Sequence, residues 1–153
     1  MNDNDVIKII IRVIRAGLDS YGLTTVRIKQ GYQPRTTGVE IAPTVYLHKI
    51  SADRYGFPSR IDKHNDTNNN FDHTETIWKT PTYQVDGLAL QNPADINQLT
   101  ASDIVEATAE ALQSEASILA FKASRISIDR ITNIRENYFT EDPDQTHLSL
   151  IHI

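Results

Sequence analysis

Asp62, His64, Asp66, Asp72 and His73 crowd one stretch of the chain, and their side-chain types could hold a divalent cation. Their spacing argues otherwise. No helical His-x-x-x-His pair and no known zinc-ligand spacing is present. Asp62-x-His64-x-Asp66 lacks the glycine and the terminal glutamate of a calcium loop. A polar, solvated loop accounts for these residues better. His147 and His152 stand five apart on a strand pattern, so they face opposite sides and do not converge on one ion. His48 lies within an apolar strand and reads as a satisfied, half-buried histidine. Glu141, Asp142 and Asp144 flank a proline in an exposed loop, where no burial would split their pKa values for acid–base work. Nucleophile elbow, phosphate loop and dinucleotide fingerprint are all missing. The inventory implies no catalysis, no metal and no cofactor.

A second group of residues suits recognition instead. Arg54, Tyr55, Phe57 and Arg60 surround a Gly56–Pro58 corner. Tyr and Arg are enriched at interface hot spots, and an aromatic on a rigid corner loses little entropy on docking. The competing account is that Tyr55 and Phe57 fold back over the domain's own core, as apolar residues under long loops often do. Trp78 carries the same two readings, core or anchor. In the first helix, Val6, Ile9, Ile10 and Val13 form one apolar stripe, and Ile7, Ile11, Ile14 and Leu18 form a second beside it. One stripe is normal for a surface helix. The second, with Ile11 and Ile14, is either deeply buried or packs on another subunit, and the latter reading is preferred because only one other good helix is available to cover it.

The elements that must position these residues follow from periodicity and punctuation. The first helix is expected over Asp5–Tyr21, capped by Asn4 or Asp3 and ended by Gly22. Val26 to Tyr32 alternates as a half-buried strand, with a turn at Pro34–Gly38. Thr44–Ile50 is a β-branched and aromatic strand. A long loop is expected over 53–73, with Asn68, Asn69 and Asn70 as its most polar part. Thr74–Leu90 is too long for one straight strand in a domain this size, so Pro81 marks either a bend or the base of a β-arm over Thr74–Thr80. Such an arm could add a strand to a neighbouring subunit. A second helix opens at Thr100 and breaks around Gln113–Ser117. Ile126 and Ile128 alternate into a strand, with a bulge or strand end near Ile131 and Ile134. An acidic loop covers Asn137–Gln145, and a final strand runs from His147 to Ile153. This order gives an α+β fold: a mixed, mostly antiparallel sheet with two main helices on one face.

Composition narrows the function classes. The 153 residues are expected to form one domain, 1–153, with 15 Lys and Arg against 20 Asp and Glu, a net charge of −5. That balance argues against coating nucleic acid. Charge is also uneven: +3 over residues 1–50 (seven bases, four acids), −3 over 51–100 (four, seven) and −5 over 101–153 (four, nine). Separation of this kind suits a subunit whose basic side meets the acidic side of its neighbour. There is no cysteine, hence no disulfide and no thiolate zinc site. The N-terminal run has acids before it and charges within it, so it is neither a signal peptide nor a membrane span, and the chain reads as cytoplasmic when made. The Asn65-Asp66-Thr67 sequon is then incidental.

The string PTVYLHKISADRYGFPSR, followed by HTET, TYQVDGLALQNP and LTASDI, resembles the phage neck or tail terminator family. The resemblance implies a virion protein that forms a six-fold homo-oligomeric ring. Such a ring stacks on the last ring of the tail tube protein and meets the head-neck connector protein. In contractile-tailed phages it also meets the top of the tail sheath. DNA would pass through the lumen without specific binding, and no membrane is involved. Two alternatives remain. A head-side connector or head-completion protein would form a twelve-fold ring on the portal. A small ligand-binding or enzymatic domain would be a stable monomer with a deep polar pocket.

Overall fold

The hydrophobic stripes of the first helix decide where the core forms. The computed structural model describes residues 1–31, 42–67, 69–90, 94–138 and 146–152, so the expected turn at Pro34–Gly38 and most of the acidic loop lie outside the described residues. Helix α1 is Asp3–Ser20 and begins earlier than its sequence implied. Its cap is Asn2, not Asn4 or Asp3: the Asn2 Oδ1 accepts from the Asp5 amide at 2.8 Å, and the Asp5 carboxylate accepts in return from the Asn2 amide. This reciprocal box satisfies two orphan donors at once. At the other end Gly22, at φ +78°, reverses the chain. Leu23 N–H donates to Leu18 C=O at 2.9 Å and Gly22 N–H to Asp19 C=O at 3.1 Å, the paired bonds of a Schellman ending.

Ile7, Ile10, Val13, Ile14 and Leu18 of α1 are buried, and Val6, Ile9 and Ile11 pack partly buried against the same core. The expectation that Ile14 faces another subunit is therefore corrected. Ile14 is fully buried because α1 is covered by two helices, α2 (Ala101–Gln113) and α3 (Glu115–Ala123), as well as by the first strand. Breaking the second helical segment in two supplied the cover that one helix could not. The break is at Ser114, whose extended backbone ends α2 and whose Oγ caps α3 by accepting from the Ser117 amide at 3.3 Å. Thr100 and Asp103 form a second capping box at the start of α2.

Two close approaches fix how the layers stack. A Cβ on Gly17 of α1 would lie 2.3 Å from the Ala111 Cβ of α2, so these helices touch backbone to backbone. A Cβ on Gly87 would lie 2.5 Å from Val105 Cγ2 and 3.0 Å from the Ala101 carbonyl oxygen, so α2 rests directly on the sheet there. Arg15 ties α1 to the chain entering the first strand, its Nη2 donating to Val26 C=O at 2.6 Å.

The sheet has five strands in the order β1-β2-β3-β5-β4. They are β1 (Arg27–Gln30), β2 (Thr44–Asn65), β3 (Asn70–Leu90), β4 (Thr132–Tyr138) and β5 (Thr146–His152). β1 and β2 are parallel, with Arg27 opposite Thr44. β3–β5 and β4–β5 are antiparallel. This is the expected α+β, mostly antiparallel arrangement. Val45, Leu47, Val85 and Ala89 join the helices in one core. The 126–131 stretch is corrected: Ile126, Ile128 and Ile131 pack against the core without joining a ladder, and the strand starts at Thr132. Its register shifts between Thr132 and Arg135, where a bulge was expected.

The chain folds as two compact units. One comprises Met1–His48 with Tyr83–Ile153 and contains the helices and core. Its buried polar residues include Asp86, held between Gln84 Nε2 at 2.9 Å and His48 Nε2 at 3.4 Å. The expected half-buried His48 is thus an acid's partner. The other unit is Lys49–Thr82. Here the expected loop over 53–73 is corrected, because β2 runs unbroken to Asn65 and β3 starts at Asn70, with only residues 66–69 between them. A connection that short joins antiparallel neighbours. The unit is a two-stranded ribbon.

Candidate docking surface

A ribbon with both faces in water gives no apolar alternation to read, since alternation reports one buried face. Almost every residue from Ile50 to Thr80 is exposed, in contrast to Tyr83, Val85, Asp86 and Gly87 further along β3, which are buried. Polar cross-strand pairs hold the strands instead. Asp62 Oδ1 accepts from His73 Nδ1 at 2.5 Å and from Arg60 Nε at 2.9 Å. Asn65 Nδ2 donates to Asp72 at 3.0 Å, and the His64 ring meets the Phe71 ring edge-on at 5.2 Å. The carboxylate has no hydrogen to give, so the His73 tautomer that satisfies Asp62 carries its proton on Nδ1. Arg60 Nη2, 2.9 Å from that same nitrogen, then sits beside it without a hydrogen bond. Among the described residues no three carboxylates or histidines are grouped to hold a metal ion.

The hydrogen bonds from His73 and then Arg60 hold the Asp62 carboxyl below the usual carboxylate range. A folded-state pKa below the unfolded one stabilises the ribbon above the ordinary carboxylate range, and that contribution is lost as pH falls through the depressed value. The group is exposed, so salt also screens it. Asp62→Asn at neutral pH is therefore expected to speed hydrogen exchange of amides 60–65 and 70–75 without lowering the unfolding midpoint of the helical unit. Unchanged exchange in that variant would contradict this role for Asp62.

The pairs Asp62–His73 and His64–Phe71 step inward together and set the register near the turn. Alternation then puts Phe57, Ile61 and Trp78 on one face and Arg60, Asp62, Phe71 and His73 on the other. The exposures are high: Phe57 98%, Trp78 76%, Tyr55 63% and Ile61 62%. Ile50, Phe71 and Ile77 are exposed as well. So many large apolar side chains in water within one small unit form an exposed apolar patch of the size that monomeric proteins rarely carry. Of the residues singled out from sequence, Arg54, Tyr55, Phe57, Arg60 and Trp78 share this ribbon, and none of the three aromatics is in the core. Gly56, at φ +71°, makes a left-handed kink inside β2 and not a loop corner. Ile14 belongs to the core of the other unit, and Ile11 packs partly buried against that core.

Sequence reasoning overlooked Ile61, Phe71 and Ile77, which stood in or beside the supposed loop. It also overlooked Ile118 and Leu119, exposed side by side on α3 at 43% and 58%. The signal for that pair was available: α3 carries apolar residues on more than the one side that Phe121 buries. No described helix is long and apolar enough to cross a membrane.

No curated protein matches the chain. A family model does, over residues 5–149, from α1 through the start of β5 and across the whole ribbon. With nearly its full length matched, the chain belongs to the E217 gateway protein gp29 family and is a phage gateway, or connector-type, virion protein of the head–tail junction.

Proposed function

We propose that the chain is a non-catalytic subunit of a homo-oligomeric ring, six-fold, that closes the end of the tail tube and joins it to the connector of the head. The ribbon carries this reading: its exposed Tyr55, Phe57, Ile61 and Trp78 need cover that the chain's own fold does not give them. An isolated two-stranded ribbon is marginal in water, so assembly supplies the missing contacts. Closing a tube is a matter of geometry. One face must complement the last tube ring, and the other must offer no edge on which a further tube ring could add. Heterologous contacts that close at a fixed rotation make the ring itself. DNA passes through without sequence readout, in keeping with a net charge of −5.

The test is complementation. Phage lacking this protein is expected to accumulate filled heads and free tails, and purified protein added to the mixture is expected to join them. Joined, infectious particles in its absence would overturn the proposal.

A further inference from the structure

The ribbon face of Phe57, Ile61 and Trp78 needs an occupant, and two features say that it is covered by its face and not along its edges. Each strand carries a proline, Pro58 in β2 and Pro81 in β3, and lysines stand at 49, 63 and 79. Prolines and lysines blunt strand edges against pairing. The apolar faces remain.

Charge identifies the occupant. From Lys49 to Thr82 the ribbon holds five bases (Lys49, Arg54, Arg60, Lys63, Lys79) and five acids (Asp53, Asp62, Asp66, Asp72, Glu75), so its net charge is zero. The rest of the chain therefore carries the whole −5. Within it residues 1–48 carry +2 and residues 83–153 carry −7, so two copies brought together through the latter repel, whereas a neutral ribbon approaches that part of a second copy without that cost. The receiving surface should also be neutral and apolar. Outside the ribbon, Ile118 and Leu119 of α3 are the one adjacent pair of large exposed apolar residues among the described residues. Their helix, Glu115–Ala123, carries one acid and one base, Glu115 and Lys122, each about one turn from the pair. The ribbon presents Arg54 three residues before Phe57, opposite in sign to Glu115.

Resting on the ring reading above, we infer that the Phe57–Ile61–Trp78 face of one copy seats on the Ile118–Leu119 face of α3 in the next copy. The contact is heterologous, one surface meeting a different one, as a closed ring requires and a two-fold pair does not.

The chain has no cysteine, which makes the test direct. Phe57→Cys and Leu119→Cys chains are prepared separately, mixed, assembled and treated with a short bismaleimide. The mixture is expected to give a cross-linked dimer containing one of each chain, with neither variant cross-linking to itself. Phe57→Cys self-linkage would overturn the inference in favour of a face-to-face two-fold pair. A ring of normal mass with no mixed dimer would overturn it while leaving the ring reading intact. A monomer under every assembly condition would sink both. As a milder probe, Arg54→Glu should weaken assembly at least fivefold, and Glu115→Arg in the same chain should restore it. Failure of that rescue with both variants folded counts against the pairing.

Discussion

Gly17→Ala lowers the stability of the helical unit by about 1–3 kcal/mol, the usual range for forcing a methyl group into a packed core. On propensity alone the sign would be opposite, since alanine in a helix interior gains up to about 1 kcal/mol over glycine. Packing wins here because the new Cβ would meet the Ala111 Cβ at 2.3 Å and its Cα at 3.2 Å. Neither atom can rotate away, so α1 and α2 must part. Separation would loosen the packing around Ile14, Leu18 and Leu112, which are all essentially inaccessible to water. For a chain of this size the unfolding midpoint should fall by roughly 2–10 °C, read by calorimetry at fixed protein concentration. Ala111→Gly added to Gly17→Ala restores the space, so the double variant should recover most of the loss. A Gly17→Ala midpoint at or above the parent's would refute the backbone contact.

Phe57→Asp combined with Trp78→Asp is expected to abolish head–tail joining while leaving the helical unit folded. Both residues are exposed in the isolated chain, so little stability depends on them. In an interface, buried aromatic anchors cost about 2 kcal/mol or more each when lost, and two of them correspond to roughly a thousandfold weaker association. Circular dichroism and the unfolding midpoint should match the parent within error. Joining in the complementation assay should drop to background. Wild-type joining by the double variant would remove the ribbon from the assembly surface.

Much of the helical unit was legible because its residues are buried on one side only. The α1 stripes, the Thr100 cap, the Ser114 break and the reversal at Gly22 all express local rules that packing leaves in force. Ile14 was misplaced for a quantitative reason. Whether a wide apolar stripe faces a subunit or the core depends on how many elements cover it, and α3 was not counted as a separate helix. The ribbon was illegible for a different reason. Two solvated faces erase the period-two signal, and Gly56 and Pro58 read as loop makers although both lie within β2. Its exposed aromatics were legible one by one. Their common face was not, because that depends on a register fixed by polar pairs such as Asp62–His73.

Native mass spectrometry of the purified chain bears on the ring most directly. A closed assembly of six copies of the 17.3 kDa chain is expected, with matching six-fold rings in negative-stain class averages. A twelve-fold ring, or a chain that stays monomeric at high concentration and beside purified tail tubes, would contradict it.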